Sequence, residues 1–153
     1  MPHYDMNPLK ILVRPMTIGD AAAVARLASQ LGYPSTAAQI ERRFDALDES
    51  PDARALIAQA PDGTVLGWIH VYGTRHLESD SGAEIGGLVV DEAARGQGVG
   101  SALMTSAEAW AKERGYEIVR IRTNVIRVEA HEFYKSRGYE TLKSQYRLGK
   151  RLV

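Results

Sequence analysis

The residues best suited to chemistry lie together in Arg95-Gly96-Gln97-Gly98-Val99-Gly100-Ser101, between an apolar stretch ending at Val90 and the start of a long helical pattern. Glycines at alternate positions bare the main chain, and amides gathered where a helix opens can cradle phosphate oxygens. The positive helix end adds roughly 0.3–1 kcal/mol per favourable charge. Arg95 supplies a fixed cation beside them. A tight turn explains one glycine on geometry alone; three glycines beside an arginine point to a pyrophosphate site. The dinucleotide pattern G-x-G-x-x-G fails, because Ser101 stands where its last glycine belongs and Arg120 to Thr123 offer no acid at the next strand end. The triphosphate loop fails too, since no lysine follows Gly100.

Proton transfer needs titratable groups near such a loop. Glu84 precedes Leu88 by four positions, and a strand period of two places both on one face. Glu84 reads equally as a general base acting through water and as a solvated acid at a strand end. His70 alternates with Trp68 and Tyr72, and reads either as a base facing an acceptor cleft or as a hydrogen-bonded sheet histidine. His76 and Glu78 fall in a polar loop, His131 on a helix surface, and Met16, Met104 and Trp110 in the core. Arg120 and Arg122 share a strand face and are expected to pair with carboxylates, while Glu41, Asp45 and Asp48 form an acidic face that either attracts a cationic amine or is simply solvated.

The elements that must hold these residues follow from periodicity and punctuation. Lys10 to Arg14 reads as a strand. Asp20 caps a helix over 21–31, broken by Gly32-Tyr33-Pro34, and Ser35 or Thr36 caps a second one with Ile40, Phe44 and Leu47 on its apolar stripe, ended by Pro51. Pro61-Asp62-Gly63-Thr64 turns a hairpin between 53–60 and 65–72. Ala83 to Val90 is a third sheet segment, whose end, Leu88-Val89-Val90, should be buried on both faces. A helix over 98–114 closes at Gly115, Ile118 to Arg122 returns as a strand, a helix over 127–137 ends at Gly138, and 139–148 looks extended. The expectation is one α+β domain over residues 1–153, with a mixed, mostly antiparallel twisted sheet flanked by helices.

Arg95, Gly98 and Gly100 also fit R-x-x-G-x-G. Further on, Ala130-x-x-Phe133-Tyr134-x-x-x-Gly138-Tyr139 follows a strand that ends near Asn124. In this pair of motifs the chain resembles the GNAT superfamily of acetyltransferases, over residues 83–139; the first 80 residues match only in element order. The resemblance implies that acetyl-CoA is the co-substrate. Its pyrophosphate would lie on Arg95, Gly96, Gln97, Gly98, Val99, Gly100 and Ser101, its pantetheine arm on the main chain of Leu88, Val89 and Val90, with Asn124 and Tyr134 nearby. Tyr134, by its residues alone an inward core tyrosine, becomes by resemblance the general acid that protonates the leaving thiolate. Residues 98 to 101 and 134 thus take distinct tasks, binding and proton delivery. An amine with pKa about 10.4 must first lose a proton, at roughly 4.6 kcal/mol near pH 7, so either a base or an amine of low pKa is required.

Composition narrows the setting. Nineteen basic and nineteen acidic residues cancel, which removes the broad basic footprint of a nucleic-acid binder. With no cysteine, a thiolate nucleophile, a disulfide framework and cysteine-ligated zinc are excluded, and attack by the amine in a ternary complex is the simpler route. No apolar run approaches the roughly 18 residues of a membrane span, and the start lacks a signal-peptide pattern, which points to the cytoplasm. The expected function is an acetyl-CoA-dependent N-acetyltransferase with a small-molecule amine acceptor, no metal, no nucleic-acid or membrane partner, and a possible homodimer. A non-catalytic CoA-binding regulatory module and a protein or peptide N-acetyltransferase are the alternatives.

Overall fold

The structure is a computed structural model, which describes residues 10–123 and 128–153. The chain forms two compact units, one ending at Ile121 and one starting at Arg122. The first holds β1 (Leu12–Pro15), α1 (Ala21–Gln30), α2 (Ala37–Asp48), β2 (Ala53–Gln59), β3 (Val65–Thr74), β4 (Gly82–Val90), α3 (Val99–Glu113) and β5 (Val119–Ile121); the second holds α4 (Val128–Ser136).

The five strands make one sheet in chain order. β1 to β4 pair antiparallel and β5 runs parallel to β4, after the crossover through α3. The sheet is mixed and mostly antiparallel, as the sequence predicts. Alternation sorts its two faces. Ile57, with Trp68 opposite, packs toward Met16, Ala21, Val24, Ala25 and Ile40 from α1, α2 and the segment before them. On the other face Gly67 lies so close to α3 that a Cβ there would sit 3.2 Å from both Val99 and Leu103. Leu27, Ile57, Ile69, Leu103 and Met104 are fully buried, each contributing roughly 2 kcal/mol of apolar burial.

Local chemistry explains where the helices begin and end. Thr36 caps α2, its hydroxyl accepting from Gln39 N while the Gln39 side chain accepts from Thr36 N, a reciprocal box that satisfies two otherwise orphaned amides. α3 and α4 end on the same arrangement at Gly115 and Gly138: Tyr116 N bonds Ala111 O, and Tyr139 N bonds Tyr134 O, each at 3.0 Å, as left-handed glycine caps require. Asp20 departs from its expected role. It makes no side-chain cap on α1; its carboxylate instead accepts from Thr17 N across a 3-10 turn and from both terminal nitrogens of Arg14 at 2.8 Å. A bidentate guanidinium outcompetes helix amides for one buried carboxylate.

Three further expectations change. Residues 139–153 join no strand among the described residues, so their extended pattern finds no ladder partner within the sheet. His131 is half-buried, where a helix-surface histidine was expected. Arg120 donates to the main-chain carbonyl of Asp80 at 3.2 Å rather than to a carboxylate. Among the described residues no helix is long and apolar enough to cross a membrane.

Candidate active site

β4 hands the chain to the glycine-rich loop through Asp91, and α1 fixes that junction. Asp91 accepts from Arg26 at 3.0 Å, from Gln30 at 3.4 Å and from Ala93 N at 3.2 Å, while Glu92 N donates to Gln30 at 3.0 Å. The Arg26 hydrogen bond holds the Asp91 carboxyl below its ordinary pKa. After a 3-10 turn over Glu92–Ala94 comes exposed Arg95, then Gly96 and Gly98 at φ +76° and +84°. Those angles are open to glycine and costly to other residues.

Gly98 is the residue preceding α3, and no side chain caps this helix. The first main-chain bond of the regular helical pattern runs from Ala102 N to Gly98 O at 3.0 Å. The amides of Val99, Gly100 and Ser101 therefore have no acceptor within the helix. α2 has the Thr36 box for the same task; α3 has no such cap among the described residues. Bare amides, a helix end and Arg95 fit the two phosphates of coenzyme A. Upstream, Val89 is buried, but Leu88 and Val90 are only half-buried, against the expectation of burial on both faces. One face of the end of β4 stays partly open along the main chain that a pantetheine arm would follow.

The register explains a second difference. His70 opposes Gly87 but Val71 opposes Ile85, so Gly86 is an extra residue in β4. Such a bulge shifts every later side chain to the other face. Glu84, opposite Tyr72, consequently shares its face with Val89, opposite Trp68, and not with Leu88, which opposes Ile69. The strict period of two fails at Gly86. A Cβ on that residue would lie 2.7 Å from His70 Nδ1 and 2.8 Å from the Tyr72 ring, so glycine there makes room for both rings.

Those rings open onto a cleft of about 660 Å³, lined also by Leu47, Ser50, Asp52, Arg75 and Gly86. Tyr72 Oη donates to Glu84 Oε2 at 2.5 Å, and Glu84 is 9 % exposed. Glu84 thus meets the cleft through a phenol and is not the solvated strand-end acid that was one of its two readings. The His70 ring lies 4.9 Å from that of Tyr72, and its buried Nε2 has no partner among the described residues; it is not the hydrogen-bonded sheet histidine. Burial pushes its pKa below the ordinary 6.5, leaving the imidazole neutral at pH 7. Sequence reasoning passed over Tyr72 as a partner for Glu84, and Gly86 as the bulge. The Gly86-Gly87 pair inside a strand was the available signal.

In the second unit Tyr134 is half-buried on α4, 5.3 Å from Phe133 and 6.0 Å from Tyr139 by ring centroids, both edge to face. The helix cap at Gly138 places the last contact. Asn124 and Arg127 lie outside the described residues. Among the described residues no cluster of three or more histidines, aspartates and glutamates forms a metal site.

Comparison with known proteins agrees with this architecture. Residues 23–139 match the profile described as the acetyltransferase (GNAT) family. An aminoalkylphosphonate N-acetyltransferase of Salmonella typhimurium is 38% identical over 92 residues, 60% of this chain and 58% of that protein. The chain therefore spans little more than half the length of that relative. An aminoglycoside N(6')-acetyltransferase type 1 of Stenotrophomonas maltophilia is 30% identical over 133 residues, 84% of this chain and 85% of the other. In fold, AAC(6')-Iy, solved with the bisubstrate analogue CoA-S-monomethyl-acetylneamine, superposes with a TM-score of 0.80 at 18% identity, covering 92% of this chain and 98% of that one. By profile, by relatives and by fold, the chain belongs to the GNAT family of acetyltransferases.

Proposed function

We propose that this protein is an acetyl-CoA-dependent N-acetyltransferase in which a small-molecule amine attacks directly, with residues 1–153 acting as one catalytic domain. The observation that carries this reading is the uncapped start of α3, where Gly98 stands at φ +84° and three amides lack helical acceptors. Acetyl-CoA, when bound, supplies the activated acyl group. Val99, Gly100 and Ser101 hold the diphosphate by their main-chain amides, with Arg95, Gly96 and Gln97 completing the loop. The main chain of Leu88, Val89 and Val90 orients the arm and polarises the carbonyl; Asn124 is assigned to the coenzyme by the family resemblance alone. The relatives that act on aminoalkylphosphonates and aminoglycosides support a small amine as acceptor.

Two protons must move. Glu84 accepts the proton of the incoming ammonium through Tyr72, whose hydroxyl passes its own proton to Oε2 as it takes up the other. His70, neutral in the same cleft, is the second candidate base. Tyr134 Oη gives a proton to the leaving sulfur, which a phenol near pKa 10 does with little mismatch. The exposed apolar side chains of Leu142, Tyr146, Leu148, Leu152 and Val153 in the C-terminal segment support a homodimer, which light scattering checks as a doubled mass. A cytoplasmic setting suits a fold without cysteine.

The test is calorimetric titration with acetyl-CoA beside thiol release with an amine panel. Binding and amine-dependent release are expected. Tyr134→Phe should bind acetyl-CoA as wild type does while kcat falls about 100-fold, the usual scale of a lost general acid. Wild-type turnover in that variant removes Tyr134 from the role, and absence of acetyl-CoA binding overturns the whole reading.

A further inference from the structure

The cleft beside the β4 bulge carries an asymmetry of charge that defines the amine it takes. Two lining residues bear formal charge at pH 7, Asp52 and Arg75. Asp52 is already committed: Tyr116 Oη donates to its Oδ2, and Arg114 Nε and Nη2 donate to its Oδ1 at 3.3 and 3.2 Å. Arg114 in turn lies over the Trp110 ring at 5.8 Å. The Asp52 charge is therefore neutralised from behind the cleft. Arg75, exposed just past the end of β3, makes no hydrogen bond or ion pair with any described residue, although its charge reaches the Tyr116 hydroxyl behind Asp52. His70 adds no charge, being held neutral by burial. The acids of α2 do not restore a negative surface, since Glu41, Asp45 and Asp48 are exposed on that helix and none lines the cleft.

The uncommitted charge of the acceptor cleft is thus a guanidinium, three positions along the chain from the Tyr72 that meets Glu84. From this we infer that the acceptor is an amine that also carries an anionic group, a phosphonate or carboxylate, with Arg75 as the residue that selects it. The amine end turns toward Tyr72 and Glu84; the anionic end turns toward Arg75, whose planar fork matches either oxyanion by paired N–H donors. Tyr72 and Arg75 line the same cleft three residues apart in sequence, so a short aliphatic acceptor addresses both. A polycationic amine would instead meet Arg75 as a like charge, with no free carboxylate on the wall to offset it.

This inference rests on the acetyltransferase reading, and one set of measurements separates the two. Thiol release is followed with 2-aminoethylphosphonate, β-alanine, ethanolamine and neamine as acceptors, beside calorimetry with acetyl-CoA alone. We expect kcat/KM for the two anionic amines to exceed that for ethanolamine by about tenfold or more, with neamine lowest. In Arg75→Gln the ratio of kcat/KM between 2-aminoethylphosphonate and ethanolamine should fall about tenfold, through KM rather than kcat, and Arg75→Lys should recover part of it. Neamine preferred over both anionic amines overturns the inference, as does an unchanged ratio in Arg75→Gln. Acetyl-CoA binding without acetylation of any of the four amines overturns it while leaving the coenzyme site standing; failure to bind acetyl-CoA removes both.

Discussion

At the scale of single residues, function concentrates where polar groups sit in unusual surroundings. Glu84 is nearly buried yet has a phenol bonded to it, and His70 is kept neutral by the loss of water around its ring. The second fact makes stability depend on pH. A histidine whose folded pKa lies below its unfolded value binds fewer protons when folded, so stability is complete above about pH 6.5 and drains away as pH falls through the folded value. His70→Gln removes that term. Thermal unfolding at pH 7 and pH 5 should show the wild type losing more of its midpoint than the variant does; parallel losses would clear His70 of this role.

At the scale of elements, two departures from regularity shape the site. The bulge at Gly86 turns Glu84 and Val89 onto one face, and the left-handed Gly98 lets α3 begin without a side chain in the way. Gly98→Val forces a β-branched residue into a conformation that costs it roughly 1–2 kcal/mol or more and puts methyl groups among the loop amides. Acetyl-CoA affinity should fall beyond calorimetric detection while the circular dichroism of the folded protein is retained. A variant that still binds with wild-type affinity would sink the assignment of this loop. The motif residues 95–101 were readable in the sequence because glycine spacing is a local property. The bulge was not, because an added residue is defined only against the neighbouring strand.

At the scale of the whole molecule, the first unit is tied together by links between distant segments. Arg14 on β1 holds Asp20, which in turn braces the turn leading into α1. The Arg14 hydrogen bonds keep the Asp20 carboxyl below its ordinary pKa. Its contribution is accordingly present above the unfolded carboxylate value and is lost as pH falls through the lowered folded one. Asp20→Asn should cost about 2 kcal/mol at pH 7, read from the urea midpoint, because a guanidinium and an amide lose a nearly buried acceptor. The difference should shrink as pH falls through the lowered folded value, where Asp20 becomes as uncharged as the asparagine. A gap that stays constant with pH would mean that charge plays no part.

Taken alone, the sequence determined the element order, the mixed sheet, the glycine loop and the tyrosine helix, all of which depend on periodicity, caps and spacing within a few residues. Tertiary structure decided what depends on neighbours far along the chain: that Asp20 serves Arg14 instead of a helix, that Glu84 meets Tyr72, and that Asp52 is neutralised by Arg114 and Tyr116 while Arg75 is left open. The division has a physical reason. A local pattern records the conformation that a segment prefers, whereas the protonation and charge of a cleft depend on which side chains the sheet register and helix packing bring within hydrogen-bonding distance.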